Sequence, residues 1–355
     1  MKALIAMSGG VDSSAAAAMM VQVGYECVGV TMKLNNYQDE QAEGCCTLSD
    51  TEDAAGVARK LGMKYYVFNF TEDFASQVID RFVAGYEAGR TPNPCIDCNR
   101  YMKFDKLYQR AKLLDCDKIV TGHYARVVFD DESGRWQLRR AANSAKDQTY
   151  VLYFLTQQQL AHTEFPLGAF SSKEEVRAYA AALGFGNAGK RDSQDICFVP
   201  DGDYGGFLER YTGKKYPEGD FLDLAGQVVG RHKGVVRYTI GQRKGLGLSM
   251  NRPVYVCDKS VADNTVTVGD ERDLYTDALT AGEFNWIIAP PAGEIRTQVK
   301  TRYSAKPAAA TARILPDGRV RVAFDTPQRA VTRGQAAVLY DGDLVLGGGT
   351  IEEAE

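Results

Sequence analysis

The chain has 355 residues, which at roughly 150 residues per domain gives two or three domains, each able to bury a core, and excludes a disulfide-stapled miniprotein. Hydrophobic residues at 45% and charged residues at 25% are the proportions of a folded globular chain, and 35 Gly with 11 Pro exclude a collagen-like or disordered one. Forty-two Lys and Arg against 46 Asp and Glu leave a formal charge of −4, so no global basic field marks a nucleic-acid binder, although local patches can still act as one.

No apolar run approaches the ~20 residues of a membrane span, and the five apolar residues before Ser8 are too few for a signal peptide. The expected location is therefore the cytoplasm with no membrane partner, and the eight Cys are expected to be reduced thiols.

Up to Ala125, short apolar runs alternate with amphipathic stretches. Strands are predicted at Ala3–Met7, Cys27–Met32, Tyr65–Phe70 and Lys118–Thr121. Helices are predicted at Ser13–Val23, from a capping box at Ser49-Asp50-Thr51-Glu52 to about Gly62, at Thr71–Ala88 and at Tyr101–Leu114. This β-α-β series predicts an α/β fold with a doubly wound parallel sheet, whose ligand site lies at the carboxyl ends of its strands. Ala125–Phe129 and Trp136–Arg140 then read as an antiparallel hairpin, and Lys173–Leu183 as a helix. From Phe198 onward, short alternating runs with turn signals such as Asp317-Gly318 and hardly any helical period predict two β-rich modules dividing near Asp270 to Asp277.

Ser8-Gly9-Gly10-Val11-Asp12-Ser13 ends the first strand and opens the first helix. Backbone amides of a Gly-rich turn, Ser hydroxyls and a helix N-terminus make a phosphate cradle. It is neither a Walker A loop, since no Gly-Lys-Ser/Thr follows, nor a dinucleotide fingerprint, since G-x-G-x-x-G is absent. The hexapeptide resembles the loop of ATP pyrophosphatases, which split ATP into AMP and pyrophosphate while adenylating a carbonyl-type oxygen; Asp12 beside a polyphosphate is then a partner of Mg²⁺.

Among the thiols, Cys95 and Cys98 form a C-x-x-C pair in Thr91-Pro92-Asn93-Pro94-Cys95-Ile96-Asp97-Cys98-Asn99. Such a pair serves as a redox dithiol, half a metal site or core thiols. Cys197 follows a polar run, Arg191-Asp192-Ser193-Gln194-Asp195, unusual before a core strand, although a Cys between Ile and Phe also reads as a small buried hydrophobe. Cys45-Cys46 and Cys116 read as structural or incidental, and His123 as a positioning residue.

These segments, with T-G-H-Y-A at 121–125, K-D-Q-T-Y at 146–150, D-S-Q-D-I-C-F at 192–198, Y-T-I-G-Q-R-K-G-L-G at 238–247 and R-Y-S at 302–304, resemble from end to end the bacterial tRNA-specific 2-thiouridylases (the MnmA family). The resemblance implies a pyrophosphate-loop domain over residues 1–198, a β-rich central domain over 199–272 and a C-terminal β-barrel over 273–355. It implies ATP-dependent adenylation of the C2 oxygen of the wobble uridine, then sulfur transfer from a persulfide on Cys197 with Cys98 releasing the sulfur or resolving the product as a disulfide. By motif, Ala6, Met7, Ser8, Gly9, Gly10, Val11, Asp12 and Ser13 form the ATP loop, Met32 packs on adenine and Gly122 lets the backbone approach the nucleotide. Asn93, Pro94 and Cys95 match a target-base segment, and Lys146, Asp147 and Gln148 with Arg302 and Tyr303 match tRNA-contacting loops. The implied partners are glutamate, glutamine and lysine tRNAs and a persulfide-carrying donor protein. Many members have Asp where this chain has Cys95, so Cys95, Cys98 and Cys197 offer an alternative iron–sulfur ligand set. The basic runs Arg231-His232-Lys233 and Arg243-Lys244 are further expected phosphate contacts. Competing readings are an amidating enzyme on the same loop and a non-catalytic RNA-binding protein with a stabilising metal.

Overall fold

Lys2–Ala6 forms a first strand, β1, in which Ala3, Leu4 and Ile5 are wholly buried, the continuous apolar run of a strand covered on both faces. A computed structural model of the chain describes residues 1–35, 47–190 and 196–355. Cys45, Cys46 and the polar run 191–195 lie outside the described residues.

The first part carries β2 (Glu26–Lys33), β3 (Lys64–Asn69), β4 (Lys118–Val120), a hairpin of β5 (Ala125–Asp130) and β6 (Arg135–Arg140), and the two-residue β7 (Thr163–Glu164). Four of these join β1 in a parallel sheet in the order β3-β2-β1-β4-β7. Successive strands step from β1 outward through β2 to β3, and the chain then returns to add β4 on the other side of β1. The strand order therefore reverses between β1 and β4, which is where an open α/β sheet leaves a crevice at its carboxyl ends.

Helix α1 (Val11–Gln22) covers one face with its Ala15–Ala18 run, all buried in one cluster with Val176 and Ala180. Helix α2 (Leu48–Lys60) is capped by Thr47, not by the predicted Ser49 box. The Asp50 amide donates to Thr47 Oγ1 (3.1 Å) and the Thr47 amide to Asp50 Oδ2 (2.9 Å), so a shorter Asp does the work of the expected Glu. The predicted helix over Thr71–Ala88 consists of α3 (Thr71–Phe74) and α4 (Asp80–Glu87) joined by a π-helical turn, Ala75–Ile79.

The next helix starts earlier than its Tyr101 prediction. Asn93 is the N-cap and Pro94 the first residue of α5 (Pro94–Asp97), which runs through the π-helical segment Cys98–Lys106 into α6 (Leu107–Leu113). Pro94 thus opens a helix, because a proline's missing N–H costs nothing in a first turn. Cys95 and Cys98, three apart, share one helix face. Then follow α7 (Gln157–Ala161) and α8 (Lys173–Ala182).

Past Phe198 the expected β-rich run is interrupted by α9 (Tyr204–Thr212), which is N-capped by Asp203 and stops at Gly213 with φ +69°. Its sequence, YGGFLERYT, has two Gly and three aromatics and little intrinsic helical preference; tertiary packing forms it. Phe207 meets Phe198 at 5.2 Å between ring centroids, and Phe198 meets Phe82 at 5.3 Å.

Strands β8 (Gly219–Leu222), β9 (Val228–His232), β10 (Tyr255–Ser260) and β11 (Thr265–Gly269) form a four-stranded sheet ordered β10-β11-β8-β9. The last six, β12 (Tyr275–Trp286), β13 (Ile295–Lys300), β14 (Ala308–Ile314), β15 (Val320–Arg329), β16 (Ala336–Asp341) and β17 (Leu344–Ala354), close on themselves as a barrel, because β12 pairs with both β15 and β17. The early hairpin attaches to this barrel through β6 and β17, so a segment expected in the first unit extends the sheet of the third. The Thr91 amide also donates to Arg333 O (2.8 Å) and Gln335 Nε2 to Thr91 O (2.7 Å). No helix among the described residues is long and apolar enough to cross a membrane.

Candidate active site

The loop after β1 sits at the reversal of strand order. Gly9, at φ +74°, takes a left-handed turn, and a Cβ there would lie 2.3 Å from Asp50 O, so only glycine fits. Gly10 caps α1 with no side-chain cap bond, which leaves the first helical amides to face the crevice. The Ser8 amide donates to Ser13 Oγ (3.2 Å), and Ser13 and Ser14 hydroxyls both donate to Gly10 O (3.0 and 3.1 Å), so the loop is shaped by its own serines.

The β4 strand delivers Thr121-Gly122-His123-Tyr124 against it. A Cβ on Gly122 would fall 2.8 Å from Ser13 N, so this glycine allows a close approach of two protein loops. That packing gives a reason for the glycine separate from the expected contact with a nucleotide. His123 is buried and its Nδ1 is 2.7 Å from Thr121 Oγ1. Burial, helped by the charge of Lys103, holds its pKa well below the usual imidazole value, so it is neutral near pH 7 and supplies no cation.

The sequence reading assigned no role to the group that faces Asp12. Lys173, buried at the start of α8, places Nζ 2.6 Å from Asp12 Oδ2, and the Tyr124 hydroxyl donates to Asp12 Oδ1 (2.8 Å). Asn187 Nδ2 donates to Gly9 O (2.8 Å) and Ser14 Oγ (2.9 Å), and Lys190 pairs with Asp50 (2.6 Å) and Asp53 (2.7 Å). These bonds tie the chain leading toward Cys197 to the loop. A lone Lys in an amphipathic helix and an Asn in a Gly-rich turn carry no sequence signal. Their partners are 161 and 178 residues away.

One cavity of about 350 Å³ gathers most of the expected residues. Ala6, Met7, Ser8, Asp12 and Ser13 line it, as do Met32 and Gly122. Pro94, Cys95, Cys98, Gln148 and Cys197 line it as well. Cys95 in α5, Cys98 at the start of the π-helical segment and Cys197, 99 positions from Cys98 in sequence, thus line the same cavity as the loop after β1. Asp12 is the sole carboxylate among the described lining residues. A hard divalent cation needs such an oxygen, so the site fits Mg²⁺ in exchange for Lys173. The three thiols share the cavity, yet among the described residues no group of three Cys, His, Asp or Glu side chains is placed to hold a metal ion.

The remaining expected residues lie around this cavity. Gly9, Gly10 and Val11 shape the loop from behind. Asn93 spends its side chain on the Cys95 amide (3.1 Å). Asp147 is buried, its carboxylate accepting from Thr149 Oγ1 (2.8 Å) and the Ala141 amide (3.2 Å), and Gln148 Oε1 accepts from the Tyr124 amide (2.9 Å). Lys146 lies on the turn before them. Arg302 and Tyr303 line a separate groove with Thr91, Thr239 and Gln335. Of the basic runs, Arg243 and Lys244 are exposed, Arg231 pairs with Asp220 (2.8 Å), and His232 is buried with Nε2 3.0 Å from Asn264 O. His232 is a core residue, against its expectation as a phosphate contact.

Comparison with known proteins agrees with this arrangement. The family model described as "tRNA methyl transferase HUP domain" matches residues 1–201, the "tRNA methyl transferase PRC-barrel domain" 205–270 and the "Aminomethyltransferase beta-barrel domain" 276–351. A 4-thiouridine synthetase, solved as an RNA complex with bound ATP, overlaps loosely, with TM-score 0.38 and 18% identity over 56% of this chain and 45% of that one. Proteins named tRNA-specific 2-thiouridylase MnmA are far more similar. That of Acetivibrio thermocellus is 49% identical over 99% of both chains, that of Symbiobacterium thermophilum 52% over 99% of this chain and 92% of its own, and that of Clostridioides difficile 47% over 99% and 98%. Identity at this level along the whole length, on a parallel sheet followed by a barrel, means that the chain belongs to the tRNA-specific 2-thiouridylase family.

Proposed function

We propose that the protein makes 2-thiouridine in tRNA, adenylating the C2 oxygen of the wobble uridine with ATP and then replacing it with sulfur, with release of AMP and pyrophosphate. The observation that supports this reading above the others is the one cavity that the loop after β1 lines together with Cys95, Cys98 and Cys197. An amidating enzyme on the same loop has no use for those thiols, and a binding protein has no use for the loop.

In this reading the C2 oxygen, a poor leaving group, attacks the α-phosphorus and pyrophosphate departs along the loop. The uncapped amides of α1 and the ammonium of Lys173 receive the charge that develops there. Mg²⁺, held by Asp12, would add charge neutralisation on the phosphates. Lys173, beside Asp12, would then face the anion. Met32 and Leu34 offer an apolar wall for the adenine.

Sulfur arrives as a persulfide on Cys197, delivered by a donor protein. Its terminal sulfur attacks C2 and AMP leaves. The Cys98 thiolate then attacks the inner sulfur of Cys197, the S–S bond to the product breaks, and a Cys98–Cys197 disulfide remains for an external thiol to reduce. Alternatively, Cys98 acts first and frees the terminal sulfur as sulfide within the cavity. Both routes need an accessible thiolate and a second thiol beside it. Residues 1–198 carry this chemistry, while 199–272 and 273–355 serve to hold glutamate, glutamine or lysine tRNA. Pyrophosphate release that depends on tRNA, followed through to 2-thiouridine, tests the proposal. Release without any tRNA requirement, or a product other than a thiolated base, would overturn it.

A further inference from the structure

Two strands of the barrel sheet each end in a cation: Arg140 closes β6 and Lys300 closes β13, with β16 and β17 between them in the sheet. The Arg140 guanidinium carbon lies 4.0 Å from the centroid of the Tyr340 ring. Its Nε and Nη2 are buried and have no hydrogen-bond partner among the described residues. Buried polar atoms are nearly always satisfied, so the orphaned pair leaves this cation without the hydrogen bonds that would offset its charge.

Lys300 stands next to it. Its ammonium is 5.7 Å and 5.6 Å from the centroids of Tyr150 and Tyr303, and it has no hydrogen bond or ion pair among the described residues. Desolvation depresses its pKa, and the charge of Arg140 adds to that depression, so the two cations are close enough to repel each other. Asp147 attracts Lys300, but its carboxylate is already committed to Thr149 and the Ala141 amide, with no ion pair to either cation. Two cations against one spent carboxylate leave positive charge uncompensated in a half-buried place.

The position says which anion it suits. Asp147 adjoins Gln148, which lines the catalytic cavity, and Tyr303 is near enough to Cys95 for that thiol to perturb it. A base turned out of its stack into the cavity would bring its own sugar-phosphate backbone across this rim. We propose that the uncompensated charge of Arg140 and Lys300 holds a backbone phosphate of tRNA next to the target uridine. This rests on the reading of tRNA as substrate.

The test uses the full chain with Lys300→Met and, separately, Arg140→Met, which keep an apolar stem against the tyrosines. Unmodified tRNA binding is measured over a salt series, alongside ATP binding and thermal melting. Each variant should bind about ten- to a hundredfold more weakly and lose about 0.7–0.9 from the slope of log K against log salt, with ATP binding unchanged. Lower melting temperature with an unchanged salt slope would mean that the cations only hold the barrel to the hairpin, and would overturn the phosphate contact. If the unaltered chain binds tRNA steeply with salt but neither variant changes that slope, the phosphate contact alone fails. If the unaltered chain does not bind tRNA, the substrate reading fails and the phosphate contact with it.

Discussion

Replacing Lys173 by Met tests how the loop after β1 is charged. The lysine side chain is 9% exposed and that of Asp12 30%, with 2.6 Å between Nζ and Oδ2. Removing one partner of a fully buried ion pair costs about 3–5 kcal/mol because the other charge is stranded. Here water reaches Asp12 and the Tyr124 hydroxyl stays at 2.8 Å, which brings the expected loss to about 2 kcal/mol. At roughly 2–4 °C per kcal/mol for a unit of this size, the parallel-sheet part should melt about 4–8 °C lower. Activity should fall further than stability explains: a preorganised positive donor facing the departing pyrophosphate is worth about 10²–10³ in kcat. Calorimetry and tRNA-dependent pyrophosphate release measure the two effects separately. Adding Asp12→Asn to the variant removes the stranded carboxylate and should restore most of the stability and none of the activity. Pyrophosphate release at the unaltered rate in Lys173→Met, or a double variant no more stable than the single one, would refute the reasoning.

Cys98→Ser and Cys197→Ser should each abolish thiolation while leaving tRNA binding and adenylation in place, read by nucleoside analysis beside pyrophosphate release; a fully active single variant removes that thiol from the mechanism. Gly122→Ala drives a methyl into Ser13 N at 2.8 Å and should cost about 1–3 kcal/mol and weaken ATP binding, measured by calorimetric titration. Lys259 donates to Tyr238 O (2.9 Å), and burial depresses its pKa from 10.5 to about 8. The unfolded chain then holds more protons between those values, so this group makes folding stability rise with pH from about 8 to about 10.5, by up to about 3 kcal/mol. Melting curves of the unaltered chain and Lys259→Met across that window should show their difference shifting in favour of the lysine as pH rises; parallel curves would contradict the assignment.

What the residues reveal in advance depends on whether the signal is local. The buried run Ala3-Leu4-Ile5 and the loop Ser8 to Ser13 were legible because strand, turn and helix opening follow one another within a dozen positions. Helix α9 was not legible, since its glycines and aromatics favour no helix until Phe207 meets Phe198 and Phe82. The hairpin Ala125–Arg140 was recognised as a hairpin, but its attachment to a strand some 200 residues later is a long-range pairing with no local signature. Gly122 was expected to let a nucleotide approach the backbone, and the structure shows a close approach of Ser13 at that position. Lys173, Asn187 and Lys190 carry no motif by themselves; each acquires a role only when the fold closes it onto Asp12, Gly9 or Asp50.

The account's central claim is best tested by nucleoside mass spectrometry of unmodified glutamate tRNA after anaerobic incubation with the protein, ATP, Mg²⁺ and a persulfide donor. The expected result is 2-thiouridine at the wobble position, lost when ATP is omitted and lost in Cys197→Ser. Unmodified uridine under conditions where a MnmA relative thiolates the same tRNA, or thiolation that persists without ATP, would contradict it.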